Sequence, residues 1–206
     1  MDIVISEISK SYGEKIVLDG FSTVIPKNKM TFIMGPSGCG KTTLINILMG
    51  LIQKDKGIVS GVPSHKSAVF QEDRLCESFN AISNVRLVCD SKVKTDEIIL
   101  HLKKTGLQDN ILKPVKELSG GMKRRVAVVR AVLAKSDIIL MDEPFKGLDD
   151  NTKEKTMQYV AENTKNKTVI IVTHDIDEAR SLGGKIINMG SLDSVPYNNY
   201  DPSIDG

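Results

Sequence analysis

The sequence predicts an α/β fold. A mostly parallel sheet is flanked by helices, an antiparallel β subdomain stands at the N-terminal end, and a small helical subdomain is inserted midway. Three observations carry this. From residue 31 onward, short apolar runs alternate with stretches of helical spacing, the pattern of a sheet covered on both faces. Before residue 26 the pattern is that of short strands broken by turns. Residues 75–117 abandon strands for helical spacing and polar punctuation.

Taken in order, Ile3, Val4, Ile5 and Ile8 make a first strand in residues 2–8. Ile16-Val17-Leu18 and Val24-Ile25, parted by Asp19-Gly20, make further short antiparallel strands. Ser11-Tyr12-Gly13-Glu14 and Pro26-Lys27-Asn28-Lys29 read as turns. Residues 30–34 are a buried strand, and residues 41–51 a helix with Leu44, Ile47, Leu48 and Leu51 inward. Residues 57–62 and 68–70 are two short, neighbouring strands, followed abruptly by polar Gln71-Glu72-Asp73-Arg74. In the inserted lobe, residues 79–88 and 96–104 are helices with Ile82, Val85, Ile98, Ile99 and Leu102 inward; Pro114 closes the lobe.

Leu118-Ser119-Gly120-Gly121 opens a helix over 122–134, with Val126, Val129 and Leu133 as its apolar face and Lys123, Arg124, Arg125 and Arg130 carrying its charge. Ile138-Ile139-Leu140-Met141 is a buried strand ending in Asp142-Glu143-Pro144. Residues 151–164 read as a helix and 168–173 as a strand. Residues 175–182 form a helix capped by Asp175, and residues 185–189 a last strand. Residues 191–206, rich in Ser, Asp, Asn and Pro, predict a mobile tail.

The 206 residues suit one domain spanning 1–206. Its core takes in 1–70 and 135–190, its lobe 72–134. At 40% hydrophobic and 26% charged this is an ordinary globular composition. The net charge of +2 gives no whole-chain signal for nucleic acid. No apolar run approaches the ~18 residues that a membrane span needs. The start, Met1-Asp2-Ile3-Val4-Ile5, lacks a basic region and cleavage site, so no signal peptide is expected. Cys39, Cys76 and Cys89 are odd in number and without metal spacing, which argues for a reducing cytosol.

The chemistry centres on Gly35-Pro36-Ser37-Gly38-Cys39-Gly40-Lys41-Thr42-Thr43, which fits G-x-x-x-x-G-K-[ST] between a predicted strand and a predicted helix. Glycines there let the backbone approach a ligand and turn its amides inward as an anion nest. The helix N-terminus adds partial positive charge. In such a loop Lys41 reaches the β- and γ-phosphates and the Thr42 hydroxyl holds Mg²⁺. Asp142, Glu143 and His174 fall at strand ends of the same sheet, so one cleft can hold them with the loop.

Five stretches in order then resemble the nucleotide-binding subunits of ABC transporters. They are residues 35–43, Gln71, Leu118-Ser119-Gly120-Gly121-Met122, residues 138–144 with Gly147-Leu148-Asp149, and His174. The resemblance covers about residues 2–190 and implies a P-loop NTPase fold of ABC type that hydrolyses ATP. It implies Asp142, Thr42 and Gln71 as Mg²⁺ ligands, Glu143 as catalytic base, and Lys41, Gln71 and His174 as further catalytic groups. Tyr12 would stack on adenine. Ser119, Gly120 and Gly121 would meet the γ-phosphate held by a second copy in a head-to-tail homodimer, with Asp149 as a dimer contact. Met122 stands where the family usually has Gln, and Gly147 where it usually has Ala.

The resemblance is to importers, weakly to the nitrate, sulfonate and taurine branch, through Val69-Phe70-Gln71-Glu72-Asp73-Arg74-Leu75 and Gly121-Met122-Lys123-Arg124-Arg125. It implies a separate integral membrane permease, an extracytoplasmic solute-binding protein as indirect partner, no nucleic acid, and a cytoplasmic place at the inner face of the cell membrane. The chain stops soon after its last predicted strand, so a C-terminal regulatory domain is not expected. Leu75, Cys76, Phe79 and the helix through Ile82 and Val85 read equally as a permease-docking surface or as lobe core. Two alternatives share the motifs: a mechanotransmission ATPase of the cell-division or lipoprotein-release type, and an ATP-dependent regulatory module without turnover.

Overall fold

The computed structural model describes residues 1–190; the expected mobile tail, 191–206, lies outside the described residues. Buried Ile3, Ile5 and Ile8 anchor β1 (Ile3–Tyr12), which pairs antiparallel with β2 (Lys15–Ile25). The expected turn over Ser11 to Glu14 is tighter than predicted. Tyr12 pairs with Lys15, leaving a two-residue loop with Gly13 at φ 60°. Likewise β2 runs unbroken through Asp19-Gly20. Register shifts in the pair absorb that point, so the local change of alternation marks an irregular strand rather than its end.

Next come β3 (Met30–Met34), α1 (Lys41–Met49), β4 (Lys56–Ser60), β5 (Lys66–Val69), α2 (Ala81–Arg86) and α3 (Thr95–Lys104). These are followed by α4 (Gly120–Leu133), β6 (Ile138–Asp142), α5 (Asp150–Asn163), β7 (Thr168–Val172), α6 (Ile176–Leu182) and β8 (Lys185–Asn188). Only a short link separates β4 from β5, but they belong to different sheets. β4 completes the antiparallel sheet in the order β2-β1-β4. β5 is the edge of a five-stranded sheet, β5-β6-β7-β3-β8, in which every pair is parallel.

Successive residues of the parallel strands point to opposite faces, and both faces are covered. Ile33, Ile138, Leu140, Ile170 and Val172 pack with Leu44, Ile45 and Leu48 of α1 and with Ile3, Ile5 and Ile25 of the antiparallel sheet. Phe32, Ile139, Met141, Val169 and Ile171 pack on the other face with Val126 and Val129 of α4 and Val160 of α5. That is why β3, β6 and β7 read as unbroken apolar runs.

The lobe helix α2 is shorter than the expected 79–88, because Asn80 caps it through a 2.8 Å bond from the Ser83 amide. Val85, Ile98 and Leu102 are fully buried, so Val85 belongs to the lobe core rather than to a docking surface; Ile82 is half-buried, and Cys76 and Phe79 are exposed. Helix α4 packs on α2 and α3 of the lobe and on β5 and α5 of the core. Arg124, expected on the charged outer face of this helix, is buried. Asp175 caps α6 as expected, accepting from the Asp177 amide at 2.9 Å.

Candidate functional site

The loop between β3 and α1 sits at the carboxyl edge of the parallel sheet. Gly40 caps α1 at φ 96°, and a Cβ there would come within 2.6 Å of Leu18 Cδ2 and 2.8 Å of the Val17 carbonyl, so only glycine fits. The loop borders an open cleft of about 510 Å³. Gly35, Ser37, Gly38, Gly40, Lys41, Thr42 and Thr43 line it together with Gln71, Asp142, Glu143 and His174. Pro36 is exposed on the loop, and Cys39 is buried behind it.

Strand β6 delivers the carboxylates. Asp142 is 3% exposed, and burial raises its pKa, opposed by the Thr42 hydroxyl, which donates to Oδ2 at 2.7 Å. Glu143 leaves the strand at φ 50°, a left-handed conformation costly for a residue with a Cβ, with its amide bonded to the Val172 carbonyl at 2.9 Å. This turn swings its side chain into the cleft, where Oε1 lies 2.8 Å from His174 Nδ1. Lys41 Nζ donates to the carbonyls of Gly35 and Pro36 at 2.6 and 2.8 Å, so a phosphate would compete with backbone oxygens for it.

Three residues in the cleft wall escaped the sequence reading: Lys15, Val17 and Lys146. The signals were there. Lys15 pairs with Tyr12 across the hairpin, and Lys146 donates its amide to the Glu143 carbonyl at 3.3 Å in the turn after β6. Both add positive charge where a polyanion would lie.

Other expected residues stand apart. Tyr12 is half-exposed outside the cleft lining, with Lys10 Nζ 5.6 Å from its ring centre. Ser119 and Gly120 are exposed at the start of α4, where the Ser119 hydroxyl accepts from the Met122 amide at 3.3 Å. They do not line the cleft. A Cβ on Gly121 would meet Leu148 Cδ2 at 3.2 Å, so this helix start lies beside the segment that leads to Asp149. Asp149 itself caps α5 through a 3.0 Å bond from the Thr152 amide.

A glycine-rich loop, a following lysine and threonine, and a buried strand-end aspartate bonded to that threonine define the chain as a P-loop nucleoside triphosphatase. The model for the ABC transporter family matches residues 18–146. The bicarbonate transport ATP-binding protein CmpD of Synechococcus elongatus is 31% identical over 95% of this chain and 80% of its own. The taurine import ATP-binding protein TauB of Roseobacter denitrificans is 38% identical over 84% of this chain and 69% of its own. Among solved structures, a dimeric bacterial ABC transporter cassette superposes with a TM-score of 0.80 at 31% identity, over 91% of this chain and 94% of that one. The same cassette is also known in a post-hydrolysis state bound to ADP and Pi, at a TM-score of 0.80. The chain belongs to the ABC transporter family, as an ATP-binding and ATP-hydrolysing subunit.

Proposed function

We propose that the chain powers solute import through a separate membrane permease, working as a head-to-tail homodimer that closes on ATP and opens after hydrolysis. The observation that carries this is the single cleft in which Glu143 and His174 meet 2.8 Å apart, facing the phosphate loop.

The loop amides of residues 35–43 and Lys41 hold the β- and γ-phosphates, and Tyr12 stacks on the base from beyond the cleft wall. Thr42 and Asp142 offer hard oxygen donors 2.7 Å apart at an open face, which fits Mg²⁺ completed by phosphate oxygens and water, with Gln71 as a third protein donor. Held there, the ion would neutralise charge on the β- and γ-phosphates. Glu143 accepts a proton from the attacking water, and His174, now bonded to Glu143, turns toward the γ-phosphate. Ser119, Gly120 and Gly121 supply the amides of a helix start to the second copy's nucleotide, and Asp149 lies at the dimer seam.

No helix among the described residues is long and apolar enough to cross a membrane. On this reading the work of hydrolysis is passed to a membrane partner. Exposed Cys76 and Phe79 of the lobe form its docking surface. On this reading the chain works at the inner face of the cell membrane, and a solute-binding protein outside delivers the cargo. The names of the relatives, all transport or import subunits, support the import reading.

The test is steady-state ATPase of Glu143→Gln against the wild type, with nucleotide affinity measured alongside. Turnover is expected to fall by about a hundredfold or more while binding persists. Equal turnover would remove Glu143 as the base.

A further inference from the structure

The loop that carries Gln71 is gripped by two arginines of α4. Arg124 is 8% exposed. Its Nη1 donates to the Phe70 carbonyl and its Nη2 to the Gln71 carbonyl, each at 2.6 Å. Its Nε lies 3.2 Å from Asp73 Oδ1; this is an ion pair out of hydrogen-bond alignment, since that buried oxygen accepts no hydrogen bond. Burial raises the Asp73 pKa, and Arg124 opposes the rise. Further along the helix, Arg130 donates to the carbonyls of Arg74 and Asp73 at 2.9 and 3.0 Å. The carbonyls of residues 70, 71, 73 and 74 are therefore all held by one helix.

A guanidinium holds two adjacent carbonyls through a rigid planar fork, whereas an ammonium is a compact charge on a flexible stem and fixes the geometry of its acceptors less firmly. Bonds from a charged donor are the stronger kind, and this one is largely shielded from water. Arg124 sits one turn after Gly120. The turn of α4 that begins with Ser119, Gly120 and Gly121 is thus fastened directly to the backbone of Gln71. Along the chain, the only other connection between these segments runs through the whole lobe.

We propose that Arg124 is a positioning residue that ties Gln71 to the start of α4, so that a shift of Gln71 in the nucleotide cleft moves the amides of Ser119, Gly120 and Gly121, and the reverse. This rests on the proposed function, in which those two segments serve two different nucleotides. Nucleotide bound in one cleft then sets how the same chain presents itself to the other. Arg130 secures the far end of the loop, so that pulling at Gln71 does not simply peel residues 73 and 74 from the helix.

Hydrogen–deuterium exchange of the full chain with and without Mg·ATP tests the tie, comparing the wild type with Arg124→Lys. In both, nucleotide slows exchange across residues 35–43. In the wild type it also changes exchange at 119–122, and in Arg124→Lys that second response is lost. In the same variant kcat falls about tenfold, with KM within about twofold of the wild type. A wild-type response at 119–122 in the lysine variant, or no response there in the wild type, overturns the proposal. Absence of slowing at 35–43 in both proteins overturns the nucleotide reading beneath it, and the proposal with it. Should Arg124→Lys not fold, Arg124→Gln, which retains one amide donor group, takes its place with the same expected outcome.

Discussion

Asp142 shows how a single residue can serve function at the expense of the nucleotide-free protein. Its carboxylate is 3% exposed and its folded-state pKa is raised by burial, against the opposing bond from Thr42. A raised folded pKa means that the folded protein binds the proton more tightly than the unfolded chain does. The group's stabilising contribution is then full below the ordinary aspartate value of 3.8 and is lost as pH rises through the folded pKa. At neutral pH the buried charge is therefore a cost that a bound cation would relieve. Asp142→Asn keeps an oxygen for the Thr42 hydroxyl and removes the charge. Its melting temperature without nucleotide is expected to exceed the wild type's by a few degrees at pH 7.5, with the difference shrinking toward pH 4, while stabilisation by Mg·ATP disappears. Differential scanning fluorimetry across that range checks this. A lower melting temperature for the variant at pH 7.5 would mean that the Thr42–Asp142 bond outweighs the burial.

At the level of elements, Asp149 has a local role that its sequence context hides. It caps α5 through the Thr152 amide. Hydrogen bonding from Thr152, its side chain first and its amide second, holds the Asp149 carboxyl pKa below the usual carboxylate range. Capping and a dimer contact can be separated. Asp149→Asn retains a capping oxygen and should melt with the wild type, whereas Asp149→Ala should melt a few degrees lower. If the aspartate also meets a second copy, both variants weaken ATP-dependent dimerisation in a Glu143→Gln background, read by light scattering. The cap was hidden because Asp149-Asp150 offers two acidic neighbours at a helix start, and spacing does not say which one caps. Other elements were legible for clear reasons. Residues 30–34 and 138–141 are buried on both faces, so their runs are unbroken, and α3 carries Ile98 and Leu102 on one buried face. The partition of β4 and β5 into separate sheets was not legible, because strand pairing is non-local and the short link between them carries no sign of it. In the site, the phosphate loop and the strand-end carboxylates were legible because their chemistry is contiguous in sequence. Arg124 was not: charge suggested a surface, and its acceptors are backbone carbonyls some fifty residues earlier that no periodicity encodes.

For the whole molecule, what matters is how the lobe is held to the core. Besides α4, the seam contains a contact between α3 and α5. His101 Nδ1 lies 2.9 Å from the Tyr159 hydroxyl, and the two rings meet edge to face at 5.6 Å. Tyr159 is 2% exposed, and burial pushes its pKa above the tyrosine range, so it stays a phenol. Burial, with Lys104 adding to it and Glu97 opposing, holds the His101 pKa below 6.5. Lys155 and Glu162 of α5 border a surface depression that Lys104 and Tyr159 also line. A lowered folded pKa means that the unfolded chain takes up the proton first, so stability is full above about pH 6.5 and is lost as pH falls through the folded value. The urea midpoint of the wild type should therefore drop further between pH 7.5 and 5.5 than that of His101→Gln, which has no ring to protonate. Tyr159→Phe should lower the midpoint at pH 7.5 but keep the pH slope, since the histidine remains buried. Parallel midpoints for wild type and His101→Gln across that range would show that the histidine contributes nothing to the acid sensitivity of the fold. A slope that vanishes in His101→Gln would make the seam between α3 and α5 the acid-labile joint of the molecule.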